Sequence, residues 1–507
     1  MNNLVAVPVL LCIAAAGIAL VLGRRPRVQR VVSITALALL VVVAAALVFV
    51  TDRFGTQALW VGAWRPPLGI VLVADRLSAL MLLMSSIAAL AVLLFSMGMD
   101  REETRREAPV SIYHPTFLLL AAGVSNAFLA GDLFNLYVGF EIFLFASYVL
   151  LTLGGTGARV QAGATYIVIS LVSSMLFLVA LATVYGATGT VNLAQLSVRL
   201  AELPADVQLP IQLLLLVVFG IKAAVFPMHA WLPDSYPTAS APVTAVFAGL
   251  LTKVGVYAII RTQTLLFPHN PITDLTMAVA LITMLVGILG AIAQVGIKRM
   301  LSFTLVSHIG YMIFGIALLT PAGLAGTIFY AAHHITVQAT LFLVTGLIAR
   351  RAGSTSLDKI GGLARLSPVL GIMFFVPAMN LSGIPPLSGF IAKLGLLEAG
   401  IEFGTPMAWA LVAGSVVTSL LTLYAMAKVW NRAFWGPPQV QLSTDADEEG
   451  HEGKTMPSPM VVGTVLLLVV GIGMTIAAGP LYDFAARAAV GLLDGSYVQM
   501  VLPGGTS

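Results

Sequence analysis

Fourteen stretches of mostly apolar residues, each long enough to cross a bilayer, recur along this chain and leave it few folds to choose from. A spanning helix needs about 20 such residues, because the hydrocarbon core is about 30 Å thick and each helical residue rises about 1.5 Å. The stretches lie near 4–22, 31–50, 70–97, 114–130, 133–152, 162–185 and 209–229. The rest lie near 240–262, 274–295, 299–319, 322–349, 368–400, 406–431 and 457–478. In lipid every backbone N–H and C=O must be paired within the protein, so runs of this length become helices. The expected fold is all-α, a polytopic membrane protein with about 14 transmembrane helices. The charge count agrees: 26 Lys+Arg and 22 Asp+Glu serve 507 positions. That is too little charge to solvate a body of this size, against about 25% in soluble proteins. A soluble enzyme, a nucleic-acid binder and a disordered scaffold are excluded.

The first run is not a cleaved signal peptide, because Arg24, Arg25, Arg27 and Arg30 follow it rather than precede it. The single cysteine, Cys12, allows no disulfide framework and reads as packing. If the four arginines are cytoplasmic, every second loop is too. Those loops hold 17 Lys and Arg, and the opposite loops and helix ends hold six: Arg53, Arg65, Arg76, Arg199, Arg261 and Arg487. The positive-inside rule then places both termini outside a cell membrane.

Three basic residues remain, Lys222, Lys253 and Lys393, each deep inside an apolar run, and Glu141 lies mid-run in GDLFNLYVGFEIFLFASYVLL. A charge at the bilayer centre costs at least about 2.5 kcal/mol on insertion scales. Glu141 is too short to snorkel to water. An inert ion pair with Lys222 would leave Lys253 and Lys393 unexplained. The set therefore reads as an ion or proton pathway. Desolvation favours a neutral lysine and a nearby carboxylate a charged one, so a partner that approaches and withdraws moves a proton.

Histidines extend the candidate path. His333 and His334 fall mid-run in YAAHHITVQATLFLVTG and His308 in LVSHIGYM; the adjacent pair points two ways, so one of the two faces the path. His229, in PMHAWLP, is either a pathway entrance or a loop anchor. Asp75 and Asp132 read as helix caps. Pro227 follows Lys222 by five residues and Pro385–Pro386 precede Lys393, so the seventh and twelfth helices are expected to be broken. An offset of five spans implies an inverted repeat of helices 4–8 and 9–13. The organisation is then residues 1–113 (helices 1–3), 114–262 and 274–431 (the two repeats), and 432–507 (an acidic loop, helix 14 and a tail).

GDLFNLYVGFEIFLFASYVLL, FPMHAWLPDSYPTASAPVTAVFAGLLTKVGVYAIIR and KRMLSFTLVSHIGYM resemble the proton-pumping antiporter-like subunits of respiratory complex I. Within that superfamily the chain is more similar to the D subunits of Mrp-type multisubunit Na+/H+ antiporters, over nearly its whole length. The resemblance implies that a glutamate on helix 5, matched by Glu141, pairs with a lysine on helix 7, matched by Lys222. It implies that Lys253 on helix 8 leads through helices 10 and 11 to Lys393 on helix 12. Two departures stand out: Gln338 replaces a lysine common on helix 11, and His308 replaces the glutamine of an SQIGYM pattern. His334, one turn before Gln338, takes the relay role in this reading, unless water supplies the central link.

Glu398 and Glu402 are read either as a proton exit or as interfacial caps. The loop 444–459 and the loop 100–109 read as solvated linkers, and the tail 480–495 as amphipathic and lying on the membrane. There is no nucleotide-binding Gly-rich loop, metal-ligand cluster or activated nucleophile, so neither a cofactor nor hydrolytic chemistry is expected. The leading expectation is a proton-translocating subunit of a hetero-oligomeric Na+ (or K+)/H+ antiporter. Its partners are other membrane subunits, H+, Na+ and lipid, with no nucleic acid. The rivals are a subunit of a redox-driven pump and a membrane scaffold.

Overall fold

The computed structural model describes residues 2–64, 66, 69–99, 110–269, 271–437 and 456–502. The loop at 100–109, most of the acidic loop at 444–459, and Arg65 lie outside the described residues. The main helices are α1 (Val7–Val21), α2 (Pro26–Phe54), α3 (Arg76–Ser96), α4 (Val110–Leu129), α5 (Leu133–Thr152), α6 (Gly157–Thr188) and α7 (Ala205–Ala223). They continue as α8 (Ala241–Leu265), α9 (Thr273–Ile292), α10 (Ile297–Leu318), α11 (Pro321–Ala352), α12a (Pro368–Ser382) and α12b (Ser388–Phe403). Last come α13 (Pro406–Val429), α14 (Ser458–Ile476), α15 (Ala478–Leu493) and the short α16 (Ser496–Val501).

Among the described residues 13 helices are long and apolar enough to cross a membrane. The stretch at 368–400, expected as one span, is two shorter helices, α12a and α12b, separated at Gly383–Leu387. The run at 70–97 is helical only from Arg76. Its first residues, Val71–Ala74, form β2, which pairs antiparallel with β1 (Gln57–Trp60) in the register Gln57↔Ala74 to Trp60↔Val71. Asp75 separates the two conformations: its carboxylate accepts from the Ser78 N–H and the Ser78 hydroxyl accepts from the Asp75 N–H, closing a capping box.

Burial ranks the helices by position. The spanning segments of α8 and α11 are buried on all faces, whereas α2 and α14 turn much of their apolar surface outward, as lipid-facing helices do. α11 is the hub, packed against α3, α8, α10, α12a, α12b, α14 and α15. A helix surrounded in this way needs no polar face, so each polar residue along it requires a partner inside the protein. α15 differs from expectation. Its apolar face (Phe484, Ala485, Ala488, Ala489, Leu492) is spent on α11 and α3 rather than on lipid.

Candidate functional site

The first cluster forms where α5, α6 and α7 meet. Asp132 accepts from the Asn135 N–H and starts α5, which places Glu141 about 13 Å along it. α7 ends at Ala223, and Ala224 adopts the left-handed conformation at φ 60°. Lys222 thus lies in the last turn, where the helix dipole favours a cation. Glu141 and Lys222 do not touch. The Ser174 hydroxyl of α6 lies between them, donating to a Glu141 carboxylate oxygen and accepting from Lys222 Nζ at 3.1 Å. The ammonium is 5.5 Å from the centre of the Phe140 ring, and Lys222 is 7% exposed. The sequence reading paired the two charges directly and missed Ser174. The signal was present as a Ser173–Ser174 pair in the middle of an apolar run.

Lys253 is reached across a tight helix contact. A Cβ on Gly255 would stand 2.7 Å from the Ala223 nitrogen, so only glycine lets α8 approach the end of α7 this closely. Inside α8 the residues Phe247–Leu251 form a π-helical turn. Such a turn withdraws a carbonyl from the usual i→i−4 ladder. Lys253 Nζ donates to the Ala248 carbonyl at 2.6 Å and to the Thr252 hydroxyl at 3.4 Å. A fully buried ammonium is thereby held by its own helix rather than by a carboxylate. The π-turn packs on α11, with Gly249 facing Ile335 and Ala339.

α11 carries the next groups. His333 and His334 are both buried and point to different partners. His333 Nδ1 is 3.0 Å from the Ser388 hydroxyl at the start of α12b, and Ser388 is held by Asn380 of α12a. His334 has no hydrogen-bond partner on either nitrogen; its ring centre is 5.2 Å from that of His308 and 6.1 Å from that of Tyr330. The Tyr330 hydroxyl is 2.5 Å from His308 Nδ1, and Tyr330 stacks on Tyr311 at 5.3 Å. Lys393 Nζ stands 5.0 Å from the Tyr311 ring centre. These rings run without interruption from His334 to Lys393. Gln338 does not join them: its amide donates to the Leu301 carbonyl at 2.7 Å and ties α11 to α10.

The break in helix 12 makes the Lys393 site. Ending α12a at Ser382 leaves carbonyls with no intrahelical donor. Lys393 Nζ donates to two of them, Leu381 at 3.2 Å and Ser382 at 3.0 Å. Gly383 (φ 84°) turns the chain, and a Cβ there would meet Lys393 Cδ at 2.9 Å. Glycine is thus required both for the backbone and for the lysine.

The remaining candidates are peripheral. His229 is half-buried beyond the end of α7, stacked on Phe226 at 5.7 Å, and burial pushes its imidazole below the usual histidine range. Glu398 and Glu402 are exposed on α12b. Arg261 corrects the expectation of a cation at a helix end: it is 2% exposed and donates to Asp75 at 2.7 Å and to the Tyr257 hydroxyl at 3.1 Å. Tyr497 of α16 covers the guanidinium at 4.9 Å. Loop counting missed the pair because only the fold brings α3 and α8 together. Burial pushes the Asp75 carboxyl up, but Arg261 and Ser78 outweigh it and hold the group below the ordinary range. Asp132 has no cation and burial pushes it up to about 6. No cluster of three or more metal-ligating side chains occurs among the described residues.

Comparison with known proteins adds a family. Residues 130–422 match the family model described as NADH:quinone oxidoreductase/Mrp antiporter, transmembrane. The chain is 39% identical to the D subunit of the Na+/H+ antiporter of Alkalihalophilus pseudofirmus, over 99% of this chain and 100% of that one. It is 37% identical to the protein of the same name in Bacillus subtilis, with the same coverage. A solved Mrp complex from Dietzia sp. DQ12-45-1b contains a chain that superposes with a TM-score of 0.91 at 33% identity, covering 99% of this chain and 100% of that one. A chain of a membrane-bound sulfane sulfur reductase, an archaeal respiratory complex, superposes with a TM-score of 0.88 at 25% identity over the same shares.

Proposed function

We propose that this chain, which belongs to the NADH:quinone oxidoreductase/Mrp antiporter transmembrane family, is the proton-carrying D-type subunit of a multisubunit Na+/H+ antiporter. It is a multi-pass transporter subunit rather than an enzyme, and it works beside other membrane subunits. Its place is a prokaryotic cell membrane with both termini outside, the orientation that the 17-to-six distribution of Lys and Arg favours. We take α12a and α12b together as a fourteenth span and read α4–α8 and α9–α13 as an inverted repeat. Residues 1–113 precede the repeats and 432–507 follow them.

The observation that carries the proton reading is the Ser174 hydroxyl between Glu141 and Lys222. A hydroxyl donates and accepts at once, so a proton leaving Lys222 reaches Glu141 by one exchange through Ser174. Lys222, Lys253 and Lys393 are then stations on one path, and His334, His308, Tyr330 and Tyr311 bridge the last two. Each station is held by uncharged groups: a hydroxyl for Lys222, the Ala248 carbonyl for Lys253, and the Leu381 and Ser382 carbonyls for Lys393. Neutral acceptors stabilise a buried ammonium less than a carboxylate does, so each lysine can also exist uncharged. His333 positions α12b through Ser388, and His229 marks the approach from the cytoplasmic side. Glu398 faces the opposite side, toward release.

Na+-dependent proton movement in everted vesicles tests the reading. Glu141→Ala and Lys222→Ala should abolish it while the complex still assembles; normal antiport in either variant would refute the path. Co-purifying subunits address the energy source: flavoprotein and Fe–S partners would overturn the antiporter assignment in favour of a redox-driven complex.

A further inference from the structure

A crevice of about 220 Å3, separate from the charged path, opens between α7, α8, α9 and α10. Its walls are apolar, and its rim residues Leu213, Val217 and Leu275 are 36%, 40% and 52% exposed on the faces that meet hydrocarbon. One polar group stands out. Gln263 lines the crevice at 2% exposure; its oxygen accepts from Gln212 at 2.7 Å, and its Nε2 donor has no partner in the protein. An unpaired amide donor at this level of burial costs about 1–3 kcal/mol unless a bound acceptor satisfies it.

Depth narrows the choice of acceptor. Gln263 is two residues from the end of α8, so it lies at the polar edge of the hydrocarbon layer. The far end of the crevice is Phe226–Met228, where the Phe226 N–H donates to the Thr283 hydroxyl. Thr283 is ten residues into α9, which puts that end about 15 Å deep, half of a hydrocarbon layer about 30 Å thick. The crevice therefore has one acceptor-seeking group at ester depth and an apolar channel one leaflet long.

We propose that this crevice is a binding site for one acyl chain of a phospholipid from the adjacent leaflet, with its ester carbonyl accepting from Gln263 Nε2. With both termini outside, this is the outer leaflet. The chain's end rests on Phe226 and Met228, at the break that follows Lys222. A single side chain of a neighbouring subunit would fill the mouth without reaching that end. A quinone would place a planar polar ring among walls where the Gln263 amide and the Thr276 hydroxyl are the polar side-chain groups, and the Thr276 hydroxyl is already spent on the Ile272 and Thr273 carbonyls.

The test uses the whole complex in nanodiscs of phosphatidylglycerol brominated near the middle of its chains, imaged by electron cryo-microscopy. Bromine density between Ile259 and Val225 is expected; protein density, a planar ring or no chain density would each overturn the proposal. Native mass spectrometry gives a second readout. Gln263→Leu should speed lipid exchange about fivefold, the effect of losing one neutral hydrogen bond, and Val279→Trp should remove one retained lipid. Unchanged retention in both would refute the site.

Discussion

Replacing Ser174 by alanine removes one oxygen atom and, with it, the hydroxyl that bridges Glu141 and Lys222. Two bonds to ionisable groups disappear, and such bonds contribute about 1.5–3 kcal/mol each. The charges still attract across the gap. At about 5 Å and an effective dielectric near 20 the attraction is about 3 kcal/mol, so the helices should stay assembled. The proton, however, loses its stepping stone. If the barrier rises by about 2 kcal/mol, the value of one such bond, exchange slows about 30-fold. The assay is the initial rate of Na+-driven proton movement in everted vesicles, normalised to assembled complex. Ser174→Thr keeps a hydroxyl at the same position and should restore most of the rate. Wild-type rates in Ser174→Ala would refute a relay through Ser174, and equal loss in alanine and threonine would reduce the residue to packing.

Three further expectations follow from single observations. Gly383→Ala puts a side chain at φ 84° and against Lys393; it should cost about 1–2 kcal/mol in backbone strain alone, seen as a lower melting temperature together with lost antiport. Arg261→Gln leaves Asp75 buried without its cation and should destabilise by about 3–5 kcal/mol; Asp75→Leu combined with Arg261→Met should recover most of the loss in detergent thermostability. The two helix-capping carboxyls, Asp75 and Asp132, should respond to pH with opposite signs. Asp75, held below its ordinary 3.8, contributes stability above that pH that disappears on acidification through its lowered value. Asp132, raised from 3.8 to about 6, is a cost above about pH 6 that is relieved as pH falls through that window. Asp132→Asn should therefore remove a stabilisation on acidification between about pH 6 and pH 4, which melting curves of the complex would reveal.

The spans and the buried charges were legible because both depend on local quantities. Bilayer thickness sets helix length, and the cost of charge in hydrocarbon marks Glu141, Lys222, Lys253 and Lys393 wherever they pack. The proline positions likewise announced a break between Ser382 and Ser388, since a ring without an N–H interrupts a helix regardless of its neighbours. What those charges touch was not legible. Ser174 reached the gap between Glu141 and Lys222 because α6 crosses α5 and α7 there; the Ser173–Ser174 pair in an apolar run marks a polar spot but not which charges it meets. The same holds for Gln338, which stands where a lysine is common on helix 11 and whose bond to the Leu301 carbonyl only packing reveals.

Sequence by itself determined that this chain lies in a membrane, where its helices run, and which few groups the membrane makes expensive. Tertiary structure alone decided the partners: a hydroxyl for Lys222, a π-turn carbonyl for Lys253, helix-end carbonyls for Lys393, and Asp75 for Arg261, which the sequence places only among loops and helix ends. The physical reason is range. Hydrophobic length and charge burial act through the solvent and are written in consecutive residues. A hydrogen bond acts over about 3 Å, between residues that only packing brings together.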